Sequence, residues 1–294
     1  MQPAIRGRLW AFGLLLLVAP TVGATEKAPT GSFPNAECVS CHTPRQPQLV
    51  AAWRASSHAR RSPKADCVAC HGNTHSGALQ RARRDSACSG CHEKLNRAVV
   101  HSYATSKHGV ITGLEGNQRT WTQPLTQGNY RTPGCAYCHL HRAEHNVNRG
   151  VTPWNALAAP GETVSDTARA AMQPACGECH APRYVAEQSG SGARMTEIAR
   201  MKLREARALI DQQRGTATRE ELAALERRYA AMREHGRNVR IGVGHQSPDY
   251  QWWHGHPALD GDLLRIKGMV SDSERLKAGE RYKVKDTSNA NGPP

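Results

Sequence analysis

All ten cysteines of this 294-residue chain fall within five copies of one pentapeptide, C-x-x-C-H. The copies are Cys38, Cys41 and His42; Cys67, Cys70 and His71; Cys88, Cys91 and His92; Cys135, Cys138 and His139; and Cys176, Cys179 and His180. Two thiols three positions apart can add to the two vinyl groups of one haem. The histidine that follows then falls beneath the porphyrin plane, where its imidazole binds iron. A single C-x-x-C suits zinc or redox dithiol chemistry equally well. A histidine after every pair, with no cysteine elsewhere, selects covalent haem instead. Five haem c groups are expected.

The sixth ligand of each iron then becomes the question. An iron capped on both faces by histidine is closed and transfers electrons, whereas an open one can bind small molecules. Fifteen histidines less the five in the motifs leave ten to supply the caps. His58 and His108 share a local context, Ser-x-His-(Ala/Gly), and are expected to be ligands. His58 lies about one helix beyond the first motif, a spacing that lets it reach the far side of a haem. His75 follows His71 by only four residues, too few to cap the same iron, so it is assigned to a neighbouring haem. His145 is a further ligand, and His245 or His254 completes the set. His101, His141, His235 and His256 are read as bystanders or supporting groups.

These ligands need elements to position them. Arg6 and Arg8, the apolar run from Leu9 to Val18 and the small residues Val22-Gly23-Ala24 read as a secretory leader over 1–24, cleaved after Ala24. That run is too short to cross a bilayer, which takes about 20 apolar residues, and no later stretch is a spanning candidate. The expectation is an exported, periplasmic protein. Residues 25–190 read as the five-haem domain, with irregular connections at 113–134 and 146–162. Residues 191–270 carry a helical hairpin of about forty residues. Ile198, Met201, Leu203, Ala206, Leu209 and Ile210 mark its first helix. Thr218 and Glu221 form a capping box before the second, and Gly236 reads as its C-terminal stop. The polar stretch 271–294 reads as disordered. No alternating β-branched run supports a strand, so the fold class is mostly α, with long loops around a haem array and a C-terminal helical hairpin.

Composition sharpens this. Only two Phe occur, aromatics are 5% and the mean hydropathy is −0.62. So thin an apolar supply implies that the macrocycles serve as much of the core, and that the chain does not fold without haem. The formal charge of +14 is offset by haem propionates, and the basic residues are dispersed beyond Arg81-Ala82-Arg83-Arg84. Nucleic acid is not an expected partner; an acidic redox protein is.

The motifs together resemble the multihaem cytochromes c of the hydroxylamine oxidoreductase superfamily, which includes pentahaem nitrite reductases and the tetrahaem cytochrome of ammonia oxidisers. The resemblance runs from about Cys38 to Lys267. It rests on Trp53 with Ser57-His58-Ala59, on Cys67 to Gly72, on Ser106-Lys107-His108-Gly109, and on Pro133 to Leu140 followed by His145-Asn146-Val147. The last unit, Met172 with Cys176 to His180, is similar too. Most specific is Pro248-Asp249-Tyr250-Gln251-Trp252-Trp253-His254-Gly255, similar to the family's P-D-Y-x-x-W-H-G segment. The resemblance implies a haem array, allows a homo-oligomer, and makes Asp249, Tyr250 and His254 the catalytic candidates. Two registers remain open: either the family's catalytic haem is absent here, or Cys67 to His71 holds it. All five motifs end in histidine, unlike the lysine of the nitrite reductases' active haem.

The leading expectation is a periplasmic pentahaem electron carrier with bis-histidine irons, passing electrons between a quinol-linked donor and a terminal redox partner. The alternative is a hydroxylamine oxidoreductase-like enzyme acting on a small nitrogen or sulfur compound at one open haem.

Overall fold

A computed structural model describes residues 28–123, 131–148, 150–151 and 166–289. The leader and its cleavage site lie outside these residues. Among the described residues the regular structure is helical and there is no strand. The first part is built of short helices: α1 (Asn35–Arg45), α2 (Pro47–Ala55), α3 (Ser57–Arg60), α4 (Cys67–His71), α5 (Ala78–Arg83), α6 (Ser86–Leu95), α7 (Arg97–Ala104), α8 (Lys107–Glu115), α9 (Cys135–His139) and α10 (Asp166–Gly177). The second part is built of long ones: α11 (Pro182–Gln212), α12 (Arg219–Gly244) and α14 (His256–Asn289), with the short α13 (Pro248–His254) between the last two.

The motifs lie on α1, α4, α6, α9 and the end of α10. A one- or two-turn helix is the natural carrier for C-x-x-C-H, since it brings residues three and four apart onto one face. Local polar groups start these helices. Asp66 accepts a hydrogen bond from the Ala69 N–H at the head of α4. The same device acts across the chain: Asn35 Oδ1 accepts the Cys67 N–H at 3.1 Å, and Asp85 Oδ1 accepts the Cys135 N–H at 2.7 Å.

The apolar core is concentrated in the long helices. Ala206, Ile210, Met232, Val239, Leu259 and Ile266 are fully buried in one cluster with Ala199, Leu203, Leu225, Leu263 and Val270. These residues recur at helical spacing on α11, α12 and α14, so the hairpin is in fact two sides of a three-helix bundle. It is also much longer than forty residues. The Thr218–Glu221 capping box forms, each side chain bonding the other's backbone N–H.

Three expectations are corrected here. Gly236 does not stop a helix; α12 continues to Gly244, and Gly236 sits buried where a Cβ would lie 2.9 Å from Leu203 Cδ1. The glycine lets α12 approach α11 closely. Met201, placed in the apolar series of α11, is half exposed. The stretch 271–294, expected to be disordered, continues α14 as far as Asn289. Up to residue 279, one narrow stripe, Leu259, Asp262, Leu263, Ile266, Val270 and Ser273, is buried, and most of the other polar residues are exposed. No helix among the described residues is long and apolar enough to cross a membrane.

Candidate functional site

Each motif histidine faces one histidine from elsewhere in the chain. His42 and His75 have ring centres 6.4 Å apart, His58 and His92 6.1 Å, and His71 and His145 6.2 Å. His108 and His180 are 6.1 Å apart, and His139 and His245 6.4 Å. An imidazole nitrogen bonds a transition metal at about 2 Å and the ring centre lies about 1 Å further back. Two imidazoles on opposite faces of one iron therefore have centres roughly 6 Å apart. All five pairs meet that requirement. The ten rings line one continuous cavity of about 2650 Å³, into which cysteines of all five motifs also open. The residues present thus fit five haem c groups.

Protonation agrees with ligation. Burial, and then the facing imidazole, lowers the pKa of His58, His71 and His108. Burial, with the nearby His139, pushes His245 down to about 4. The neutral imidazole is the form that offers iron a lone pair. Three partners also have their tautomer set. His75 Nδ1 donates to the Pro29 carbonyl at 3.0 Å, and His145 Nδ1 donates to the Ala143 carbonyl at 2.7 Å. Carbonyls only accept, so Nε2 of each ring carries the lone pair. At His245 the buried Ser102 hydroxyl donates to the Ile241 carbonyl at 3.2 Å, and it accepts from Nδ1 at 2.8 Å.

His58 and His108 owe their placement to a repeated local device. Ser56 and Ser106, both buried, sit at the heads of α3 and α8 and donate to the carbonyl three residues back, Trp53 and Tyr103 at 2.6 Å each. The histidine two positions later then projects from the first turn. Gly109 completes the second copy: a Cβ there would come within 2.7 Å of the Tyr103 carbonyl carbon.

The pairing is interlaced. His58, from the first unit, faces His92 of the third rather than the histidine of its own motif. His75 faces His42 of the first motif rather than His71 of its own. His145, six residues beyond the fourth motif, faces His71 of the second. His108 faces His180, and His245 rather than His254 faces His139. The sequence does not reveal these partnerships, because they depend on packing between distant units.

The motifs themselves follow one another in space in chain order. Burial raises the Cys67 thiol, with Cys38 next in effect. Burial pushes Cys70 up to about 11, helped by Cys88 and Cys91, and Cys138 up to about 12, helped by Cys176. A hydrogen bond between the Cys88 and Cys135 sulfurs lowers the former thiol and raises the latter. These thiols stand where thioether sulfurs stand once haem is attached, so the shifts matter here only as a record of proximity.

The catalytic candidates lie elsewhere. Tyr250 is buried, bonded to Asn238 at 3.3 Å, and packs against His101 and His254 with ring centres 5.7 and 4.7 Å away. Asp249 and His254 are exposed. None of the three lines the cavity that holds the motifs. His235 is engaged by the buried Asp262 at 2.7 Å within the bundle.

Residues 50–214 match the family described as seven times multi-haem cytochrome CxxCH. The match takes in the second to fifth motifs and stops short of the first. Among solved structures, a chain of the Kuenenia stuttgartiensis reducing HAO-like protein complex aligns with 84% of this chain and 87% of its own length, at 16% identity and a TM-score of 0.55. A hypothetical multiheme protein aligns with 73% of this chain and 59% of its own, also at 16% identity and a TM-score of 0.55. At such identities the likeness is one of fold.

Proposed function

The chain belongs to the multi-haem cytochrome CxxCH family, and from that premise we propose that it is a pentahaem electron carrier whose irons are all closed by two histidines. The observation that carries this reading is the five-fold pairing at 6.1 to 6.4 Å. Ten cysteines would hold five haem c groups, with His42, His71, His92, His139 and His180 on one face and His75, His145, His58, His245 and His108 on the other. Bound haem supplies one-electron redox chemistry. The chain's own residues fix the spacing, exclude water and leave no coordination position for a substrate. His145 opposite His71 bears most on the enzyme alternative, since the second motif is where the open register would put a catalytic haem. The family's usual chemistry supports export to the periplasm, and a net positive surface supports docking to an acidic redox protein, with a quinol-linked donor at one end of the haem row.

Low-temperature EPR and optical spectra of the ferric holoprotein test the proposal. Low-spin signals alone, unchanged by cyanide or hydroxylamine, are expected. A high-spin component that shifts with either ligand would overturn it in favour of an enzyme with one open haem.

A further inference from the structure

The fourth motif is gripped from both sides by carboxylates that the ligand set leaves unexplained. On one side Asp85, three residues before the third motif, accepts the Cys135 N–H at 2.7 Å. Gly134 makes room for it, since a Cβ at that position would run into the Asp85 carboxylate. On the other side Glu178, an inner residue of the fifth motif, accepts a short hydrogen bond from the hydroxyl of Tyr137, an inner residue of the fourth. Tyr137 is only 7% exposed, whereas Glu178 is open to solvent on its far side, so the bond is part-buried. Arg142 Nη2 reaches the same carboxylate at 3.4 Å and His141 Nε2 at 3.3 Å. Inner residues of C-x-x-C-H have no part in attaching haem, so their pairing across two motifs serves something else.

We propose that Asp85 and Glu178 are positioning residues for the fourth haem, fixing its motif between the third and fifth and holding its potential down. The inference rests on the electron-carrier reading, in which each iron's potential matters. A ferric haem carries one more positive charge than a ferrous one, so a fixed carboxylate nearby favours the oxidised state. Hydrogen bonds from backbone and phenol hold both carboxylates in place while the charge changes. Asp85 also ties the fourth motif to the third, much as Asn35 ties the second to the first. Glu178 continues the row to the fifth.

Spectropotentiometric titration of the intact holoprotein tests this. A His245→Met background gives the fourth iron a thioether ligand and raises its transition out of the group, which labels it. Asp85→Asn and Glu178→Gln keep the hydrogen-bond acceptor and remove the charge. Each is expected to move the labelled transition further up, and the two together more than either alone. Tyr137→Phe keeps the charge and breaks the tie, and should broaden or shift only the fourth and fifth transitions. Glu187→Gln, a charge change on the exposed face of α11, should move none. If Asp85→Asn yields protein lacking one haem by mass, the lost group should be the fourth, and Glu178→Gln still reads the potential. The proposal is overturned if the labelled transition stays in place in both carboxylate variants, or if all five transitions move together. Failure of the carrier reading would show separately, as high-spin iron in the unmodified protein.

Discussion

Ser106 and Gly109 together decide where His108 points. The Ser106 hydroxyl spans the Tyr103 carbonyl and the Gly109 N–H, and the glycine backbone lies too close to Tyr103 for any side chain. Gly109→Ala should therefore displace the first turn of α8, cost on the order of 1–3 kcal/mol as an overpacked site, and loosen His108 from the iron held by His180. Thermal melting and the appearance of high-spin iron would register both effects; an unchanged spectrum would refute the second. Removing a partner outright is a cleaner experiment. His145→Ala should open the second iron alone, giving about one high-spin haem in five that binds cyanide, read by EPR spin quantitation. The ring planes differ too: 12° between His71 and His145, but 72° between His139 and His245. Near-perpendicular imidazoles give a low-spin ferric signal of large anisotropy, and substitution of His245 should remove that signal. At this scale the histidines that face the motif histidines are largely legible, because Ser-x-His and the short His71–His75 gap are local features. Which motif each one faces is not, because His58 meets His92 only through the folding of the second unit between them.

Elements were legible where one short-range rule governs them and obscure where packing does. The Thr218–Glu221 box is local and could be read directly. Gly236 obeys no local rule: the close approach of Leu203 and Leu259 keeps it inside α12. Residues 271–279 look featureless because Ser273 alone among them is buried, too little to register against so many charged neighbours. The bundle's stability should accordingly depend on few side chains. Met232 is fully buried among residues of all three long helices, so Met232→Ala should cost about 2–4 kcal/mol, measured by denaturant unfolding of the holoprotein. Charge contributes less. Arg207 forks onto Glu226 through two bonds of 2.9 Å, and this holds the Glu226 carboxyl below its ordinary value of 4.5. Its contribution is therefore full above that value and disappears as pH falls through the folded one. Both groups are partly exposed, so screening limits the effect to about 1 kcal/mol or less. Glu226→Gln should lower the melting temperature slightly at pH 7, and the difference from the unsubstituted protein should shrink as the pH is taken progressively below 4.5.

At the scale of the molecule, two kinds of interior share one chain. The long helices bury aliphatic side chains against each other, whereas the apolar side chains buried among the described residues of the first part are few, Val50, Ala136, Tyr137 and Ala175, and that part surrounds a cavity lined by the motifs. No motif histidine faces a histidine of its own unit: histidines beyond the first, second, third and fourth motifs face the third, first, fifth and second motif histidines, and one from the bundle faces the fourth. On the proposed reading, a haem attached in one unit would have a single axial histidine until another unit had docked. Thin overall hydropathy suggested that nothing folds without haem; the distribution of the core changes that expectation. Ser102 and His245 join the two parts, but the aliphatic cluster of α11, α12 and α14 does not itself involve the motifs. A chain with its ten cysteines replaced by alanine should therefore keep a cooperative helical melt from the bundle, while residues before about 180 become sensitive to protease. Circular dichroism combined with limited proteolysis separates the outcomes. Protection of the first part in that chain would mean its short helices hold without haem, and loss of any cooperative melt would mean the bundle depends on haem as well.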